Sequence, residues 1–279
     1  MVEKHSIKSQ LPHTPTTGLI KTRAHARSEL SNDFGIILPT VSTWDSNFVV
    51  LTPMPDGDLE FGTWLSGEAV RAFYESSLSR QDTLEQYPVN EFNATWYQFA
   101  EAVGNLRWHS DGEIHQVHVA VLFPVWVDGI IGEICWKAPQ WADRPFDIAQ
   151  RVELSQRLDA FEEGWRSGDV DAMAATVADS THSIHSVIRT VEVNGDRRFR
   201  AVAHTKDELK SAWSAPEAGR VLELERIDQC ITNWYVFASY RTLLDVAGRR
   251  VARETARVLP LGPDGKFIGE LSYSMETEM

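Results

Sequence analysis

The spacing of hydrophobic residues changes along the chain, and each spacing predicts an element. Leu154, Leu158, Phe161 and Trp165 are four, three and four residues apart, so they share one face of a helix. From residue 221 onward, apolar and polar residues alternate in four stretches that are typical of strands. The pattern therefore predicts helices followed by an antiparallel sheet, an α+β arrangement.

A stretch of 11 residues, 137–147, interrupts both patterns with two prolines and mixed charge. We place a domain boundary there, with a first domain at 16–140 and a second domain at 148–279. Residues 1–15 are polar and contain two prolines, and we expect them to form a flexible arm.

The order of predicted helices and strands is the same on both sides of this boundary, and three features recur at nearly one offset. Residues 31–34 match 167–170 and residues 128–129 match 264–265, both 136 positions apart, and the helix that starts near 67 matches the one near 205. This recurrence predicts an internal duplication. The alternative is coincidence, since Asp-Gly turns and capped helices are common in any α+β protein.

The charge of the chain excludes several classes of partner. It carries 40 acidic and 27 basic side chains, a net charge of −13 at pH 7. Nucleic acids and anionic membranes bind basic surfaces, so neither is expected as a partner. The apolar runs are shorter than the ~20 residues that span a bilayer, and the first residues lack the apolar stretch of a secretory signal. Two cysteines, Cys135 and Cys230, form no disulfide framework. We therefore expect a cytoplasmic protein.

Three stretches resemble the nuclear-transport-factor-2-like superfamily, its SnoaL-like and ketosteroid-isomerase group. They are FEEGWRSGDVDAMAATVADSTHSIHSV at 161–187, LSGEAVRAFYESSL at 65–78, and the long strands that end in an Asp-Gly turn at 121–136 and 256–273. The resemblance implies two tandem cone-shaped α+β domains, in each of which a curved antiparallel sheet wraps around helices and leaves an apolar pocket. Because members of this family pair sheet to sheet, a tandem chain would be a pseudo-dimer in one polypeptide, and further homo-oligomers stay open.

The resemblance also implies a place for a general base, on the strand after the second helix. Counting from the Gly-Asp turn puts His185 there, where the family's isomerases have a carboxylate. Imidazole suits the role because its ordinary pKa is already near neutrality. The alternative is an exposed strand histidine that hydrogen-bonds water, Ser183 or Ser186.

The family's second polar group lies on the penultimate long strand, and Glu254 occupies about that position. It shares a face with three apolar residues, and an acid on an apolar face indicates a pocket position. The alternative is the reverse orientation, in which Glu254 pairs with Arg241 or Arg253 on the surface.

Aromatic residues of the second half supply the other expected contacts. Tyr240 on the preceding strand is a candidate donor to an oxyanion. Trp234 shares its strand face and is a candidate pocket wall, with an ordinary core position as the alternative. Phe161 and Trp165, from the helical stripe, complete the set that we expect to contact the substrate.

The first half differs at the same positions. At the offset of 136, His185 corresponds to Val49 and Glu254 to His118. We expect His118 to face a pocket that is either a separate active site or a degenerate copy. The alternative is that the neighbouring valines face inward and His118 faces the other half.

The sequence contains no phosphate loop, dinucleotide fingerprint, nucleophile elbow or metal-ligand cluster, so we expect neither cofactor nor metal. The expected function is a cofactor-independent lyase or isomerase that acts by acid-base chemistry on an apolar, aromatic or polycyclic small molecule. Dehydration, double-bond migration and retro-aldol cleavage all begin with the same proton abstraction. The alternatives are a non-catalytic binding protein for a hydrophobic small molecule, and an epoxide hydrolase. The last needs an Asp-Arg-Asp relay, and we expect Arg241 and Arg257 on the wrong face for it.

Overall fold

The computed structural model describes residues 15–41, 48–51, 63–126, 129–179, 186–193, 196–203 and 205–278. The chain divides into two compact units, and the boundary lies between Ala138 and Pro139. In the described residues, each unit combines three α-helices with one mostly antiparallel sheet. The predicted α+β class, with one sheet in each half, is confirmed. The expected arm, residues 1–15, lies outside the described residues except for Pro15, which begins the first helix.

The first unit has one sheet and helices that pack on one of its faces. Its helices are α1 (Pro15–Glu29), α2 (Phe34–Ile37) and α3 (Glu68–Arg80). Its strands are β1 (Phe48–Leu51), β2 (Thr63–Ser66), β3 (Gln81–Asn93), β4 (Tyr97–Trp108), β5 (Ile114–Trp126), β6 (Gly129–Ile130) and β7 (Gly132–Lys137). The strands pair in the order β2-β1-β7-β5-β4-β3, and β6 pairs with β5.

The second unit repeats this plan. Its helices are α4 (Ile148–Ser167), α5 (Val170–Ala175) and α6 (Lys206–Trp213). Its strands are β8 (Ser186–Val193), β9 (Asp196–Ala203), β10 (Arg220–Ile231), β11 (Tyr235–Val246), β12 (Arg249–Pro260) and β13 (Gly269–Glu278). The strands pair in the order β9-β8-β13-β12-β11-β10.

The two sheets share one topology, as an internal duplication predicts. In both, the last strand pairs in parallel with the first, and every other pairing between neighbours in the strand order is antiparallel. Local detail repeats as well. The ring of Trp96 lies edge-on to Tyr97 with centroids 4.7 Å apart, and Trp234 lies edge-on to Tyr235 at 4.6 Å.

Helix α4 carries the stripe that the hydrophobic spacing predicts. Asp147 begins it with a capping box, and Gly168, at φ 73°, ends it in the left-handed conformation that glycine adopts without strain. Leu154, Leu158 and Phe161 are buried against the sheet. The helix therefore presents one face, from Leu154 to Phe161, to the sheet.

One face of each sheet packs on the helices, and we call it the helix-facing side. In the second unit this side includes Val236, Ala238, Tyr240 and Leu259, which cluster with Phe161. In the first unit it includes Val121 and Cys135, which cluster with Ile37, Val70 and Tyr74 of the helices. Within the described residues, none of the helices combines the length and apolar character needed to cross a membrane.

Candidate functional site

A buried ion pair stands on the helix-facing side of the second sheet. Arg257 of β12 and Glu270 of β13 are each 1% exposed, and Arg257 Nε donates to Glu270 Oε1 at 3.0 Å. Trp213 Nε1, at the end of α6, donates to Glu270 Oε2 at 2.7 Å, and Ser272 Oγ donates to Oε1 at 3.0 Å. Three donors from the protein therefore converge on this carboxylate.

Three aromatic rings surround the guanidinium of Arg257. Its Cζ lies 4.3 Å from the ring centroid of Trp165, 5.0 Å from that of Phe161 and 5.3 Å from that of Tyr240. Cation–π attraction stabilises the charge in this setting. Arg257 Nη1 is nevertheless buried without a hydrogen-bond partner in the part of the chain that the structure describes. A buried donor without an acceptor is costly, so this atom is a natural binding point for an acceptor on a ligand.

A second polar group adjoins the same rings. Tyr240 Oη donates to Glu162 Oε1 at 2.9 Å, and Arg226 Nη1 donates to the same oxygen at 3.1 Å. Burial raises the pKa of Glu162, although the bond from Tyr240 and the charge of Arg226 oppose the change. Burial also raises the pKa of Tyr240 well above its usual value. Tyr240 is therefore a donor at neutral pH, and Glu162 holds its proton more readily than an ordinary carboxyl.

The fold brings these groups together from six elements: α4, α6, β10, β11, β12 and β13. Helix α4 supplies Phe161, Glu162 and Trp165 within its last two turns. On the sheet, Arg257 pairs with Ala238, so that Tyr240 lies two positions along on the same side. The arrangement places a fixed cation, a carboxyl whose pKa is raised by burial, and apolar rings next to one another, a combination suited to binding an oxygen atom of an apolar molecule.

Three of the residues expected to line the second-half site are brought together. Tyr240, Phe161 and Trp165 all contact the guanidinium of Arg257. Trp234 is buried at 2% exposure, and its ring lies edge-on to that of Tyr235.

The predicted orientation of Glu254 is wrong. Its side chain is 40% exposed and lies 3.5 Å from Arg241, so the alternative with the reversed face is the one that the structure shows. The same reversal brings Arg257 to the helix-facing side, where the sequence interpretation did not expect it. The physical reason is that both faces of β12 are covered: Ala256 and Val258 are fully buried too, on the side opposite Arg257.

The two histidine candidates have different outcomes. His185 lies outside the described residues, so its role as a base stays a prediction. His118 lies on the side of the first sheet opposite the helices, because Val119 and Val121 of the same strand pack on them. Its Nε2 is 2.7 Å from Glu101 Oε1, in an ion pair if the ring is protonated. The predicted inward orientation of His118 is therefore wrong.

Glu162, Glu270 and Trp213 were missed in the sequence. One pattern could have found Glu270: the dipeptide Gly-Glu follows the Asp-Gly turn in both halves, at 132–133 and at 269–270. The sequence does not distinguish Glu162 from the other acidic residues of α4, and only the packing of the helix shows that it is buried. Within the described residues, no group of three or more potential metal ligands comes together.

Comparisons with known proteins concern single halves of the chain. A putative isomerase from Bacillus subtilis is 9% identical, with a TM-score of 0.39, over 44% of this chain and 88% of that one. An LEH-like epoxide hydrolase from M. tuberculosis is 14% identical, with a TM-score of 0.36, over 46% and 86%. A putative polyketide cyclase from Xanthomonas campestris is 12% identical, with a TM-score of 0.35, over 43% and 90%. No protein-family model and no curated protein matches the sequence.

Proposed function

We propose that the second half binds a small, apolar, aromatic molecule through a carbonyl or hydroxyl oxygen and acts on it as a cofactor-independent lyase or isomerase. The observation that supports this most directly is Arg257 Nη1, a buried donor that has no acceptor among the described residues and is surrounded by aromatic rings. A carbonyl oxygen of a ligand would complete its hydrogen bonding.

Binding combines two contributions in this arrangement. The rings of Phe161, Trp165 and Tyr240 surround Arg257, and an aromatic ligand that reaches its Nη1 would pack against them. Arg257 fixes the orientation of that ligand by a charge-assisted hydrogen bond in a site with little water. Trp213 and Ser272 hold the carboxylate of Glu270 in place, and that carboxylate accepts a hydrogen bond from Arg257. The guanidinium is therefore held in position before the ligand arrives.

Catalysis would begin with the removal of a proton from the carbon next to the carbonyl group. We propose His185 as the base. The electron pair of the broken C–H bond moves onto the carbonyl oxygen, where Arg257 stabilises the enolate. In an isomerisation, a proton then returns to a different carbon. In a dehydration, the carboxyl of Glu162 gives its proton to the departing hydroxyl group, which leaves as water.

Epoxide hydrolysis is a second candidate. The sequence argued against it because Arg257 was expected on the wrong face of the sheet, whereas Arg257 lies on the helix-facing side, against the rings of α4. If Glu162 is protonated, it can donate to the epoxide oxygen as one C–O bond of the ring breaks. A carboxylate or imidazole then takes a proton from water, whose oxygen forms the new bond to the opened carbon. The products distinguish the two activities: hydrolysis adds the mass of one water, dehydration removes it, and isomerisation leaves the mass unchanged.

The test is a screen of aromatic hydroxyketones, enones and epoxides without added cofactor, read by mass spectrometry. For any substrate that turns over, Arg257→Met should lower the rate by about 10²- to 10³-fold, the usual value of one donor to an oxyanion. Tyr240→Phe removes a single hydroxyl from the same site and should lower the rate by at least about tenfold.

Arg241→Met is the matched control, since Arg241 lies on the neighbouring strand and is 61% exposed. It should leave the rate unchanged. Full activity of both folded single variants, Tyr240→Phe and Arg257→Met, would overturn the proposal. Tight binding of these compounds with no product would favour a binding protein instead.

A further inference from the structure

The first half contains a polar cluster at the position equivalent to Glu270. Glu133 and Glu270 are each the second residue of the last strand, and each pairs in parallel with the first strand of its sheet, at Val49 and Val187. Each also accepts a hydrogen bond from the third helix of its half. Tyr74 Oη donates to Glu133 Oε2 at 3.4 Å, as Trp213 does to Glu270.

The two carboxyl groups nevertheless have opposite surroundings. Glu270 accepts from three donors at 2.7–3.0 Å, whereas the described hydrogen bonding of Glu133 is the single long contact with Tyr74. At the strand position equivalent to Arg257, the first half has Val121. Glu270 is thus engaged by three donors, while Glu133 keeps the capacity to accept or release a proton.

His25 of α1 is the second member of the cluster, and its contacts define its tautomer. Thr40 Oγ1 lies 2.8 Å from His25 Nδ1 and donates its own proton to the carbonyl oxygen of Ile37 at 2.6 Å. Nδ1 must therefore carry a hydrogen. The other nitrogen, Nε2, lies 3.3 Å from Tyr74 Oη and 3.4 Å from Glu29 Oε1.

The hydroxyl of Tyr74 consequently lies between an imidazole and a carboxyl group. When the imidazole is neutral, this hydroxyl has one proton for two acceptors, Nε2 of His25 and Oε2 of Glu133. Both contacts are longer than ordinary O–H hydrogen bonds. His25, Tyr74 and Glu133 form a chain along which a proton can move. The partly exposed side chains of Glu29 and Glu133 show that the cluster is not sealed from solvent.

The charges around the chain favour protonation. Burial raises the pKa of Glu133 to about 7, with the nearby charge of Glu29 adding to the effect and that of His25 opposing it. Burial opposes the charge of His25, but the two carboxylates outweigh it and raise its pKa. The other titratable groups nearby are the buried Cys135 thiol, whose pKa burial also raises, and Lys137, which acts on that thiol.

These surroundings define the ligand. Two carboxyl groups face one imidazole, so an anion is repelled, in contrast to the fixed cation of the second half. The ring of Phe123 lies 5.8 Å from that of His25, and Phe73 lies 5.9 Å from Tyr74, so the neighbourhood is also aromatic.

We propose that His25, Tyr74 and Glu133 form a second acid-base site, which binds an uncharged aromatic alcohol or phenol through its hydroxyl group and takes up the hydroxyl proton. This site is distinct from the one around Arg257. The O–H bond of the ligand breaks, its electrons stay on the oxygen, and the proton passes to the carboxylate of Glu133. Because Glu133 becomes neutral in this step, the negative charge moves from Glu133 to the ligand and the net charge of the site stays the same.

The probe is 2-naphthol, a phenol whose excited state gives its proton to a nearby base and then emits as the naphtholate. With protein in excess at pH 8, the bound probe should emit as naphtholate in the original protein. Glu133→Gln should lower that emission at least about tenfold, because an amide cannot take the proton. Tyr74→Phe, which breaks the chain to His25, should lower it as well.

Two variants serve as controls. Glu75→Gln alters an exposed carboxylate on the same helix as Tyr74 and should leave the emission unchanged. Arg241→Met alters an exposed side chain of the other half and should also leave it unchanged. Naphtholate emission that persists in Glu133→Gln, neutral emission from the original protein, or no binding of 2-naphthol would each overturn the proposal.

Discussion

Replacing Glu270 with glutamine should destabilise the second half strongly, although the two side chains have nearly the same shape. The substitution leaves Arg257 as an uncompensated buried charge and turns an amide NH₂ toward donors that need an acceptor. Breaking a buried ion pair in this way costs about 3–5 kcal/mol. The matched substitution is Glu133→Gln, at the equivalent position of the first half.

Glu133→Gln should cost less than about 1 kcal/mol, the value of one weak hydrogen bond. Glu133 has one long described hydrogen bond, and near neutral pH its carboxyl is partly protonated and already resembles an amide. The same chemical change at equivalent positions therefore has two different expected results, and the difference comes from the partners alone.

Urea unfolding measures both variants. With a slope of about 2 kcal/mol per molar urea, Glu270→Gln should lower the midpoint of its transition by about 1.5–2.5 M, and Glu133→Gln by less than about 0.5 M. Circular dichroism and tryptophan fluorescence should both be followed, since two units can unfold in separate steps. A double variant, Arg257→Met with Glu270→Met, should recover most of the loss, because it leaves no buried charge. Equal shifts for the two glutamine variants would refute the reasoning.

Three further outcomes are expected. The raised pKa values of Glu133 and His25 mean that the folded protein holds protons there that the unfolded chain has lost, so the urea midpoint should fall as pH rises from about 4.5 to about 7. Glu133→Gln should reduce that fall. The same dependence of the midpoint on pH in the variant and in the original protein would contradict this prediction. His185→Ala should lower the rate of any second-half reaction by about 10²- to 10⁴-fold while His118→Ala changes it little; the reverse ranking in folded proteins would move the chemistry to the first half. Activity should survive dialysis against EDTA, and a loss restored by zinc would refute a metal-free mechanism.

The fold was predictable from the sequence because its signals are local and repeated. The stripe on α4, the capped helix after Thr205 and the Asp-Gly turns each depend on a few neighbouring residues, and their recurrence defines the two halves. Chain-local physics determines such features, and in the described residues the stripe, the capped helix and the turn at Asp264-Gly265 occur in the predicted order.

The site was harder to predict because alternation reveals two faces of a strand without telling which one meets the helices. On β12, Ala256 and Val258 suggested the inner side, yet Arg257 lies there, and all three are fully or almost fully buried. A strand that is covered on both sides gives no hydropathy difference to decide the orientation. An arginine on the inner side is stable only with Glu270 and the rings around it, and those partners come from distant parts of the chain.

The parallel pairing of first and last strands has a consequence for how each half folds. Phe48 pairs with Gly132, and Ser186 with Gly269, so each pairing joins positions about 80 residues apart. Contacts of such long range slow folding, because the entropy of a large loop is lost before the contact forms. Glu133 and Glu270 lie in these closing strands, and each therefore meets its helix partner late. An intermediate without the closing strand would expose the edges of two strands in each half, at a stage when Arg257 still lacks its counter-charge, and this is where aggregation during refolding should begin.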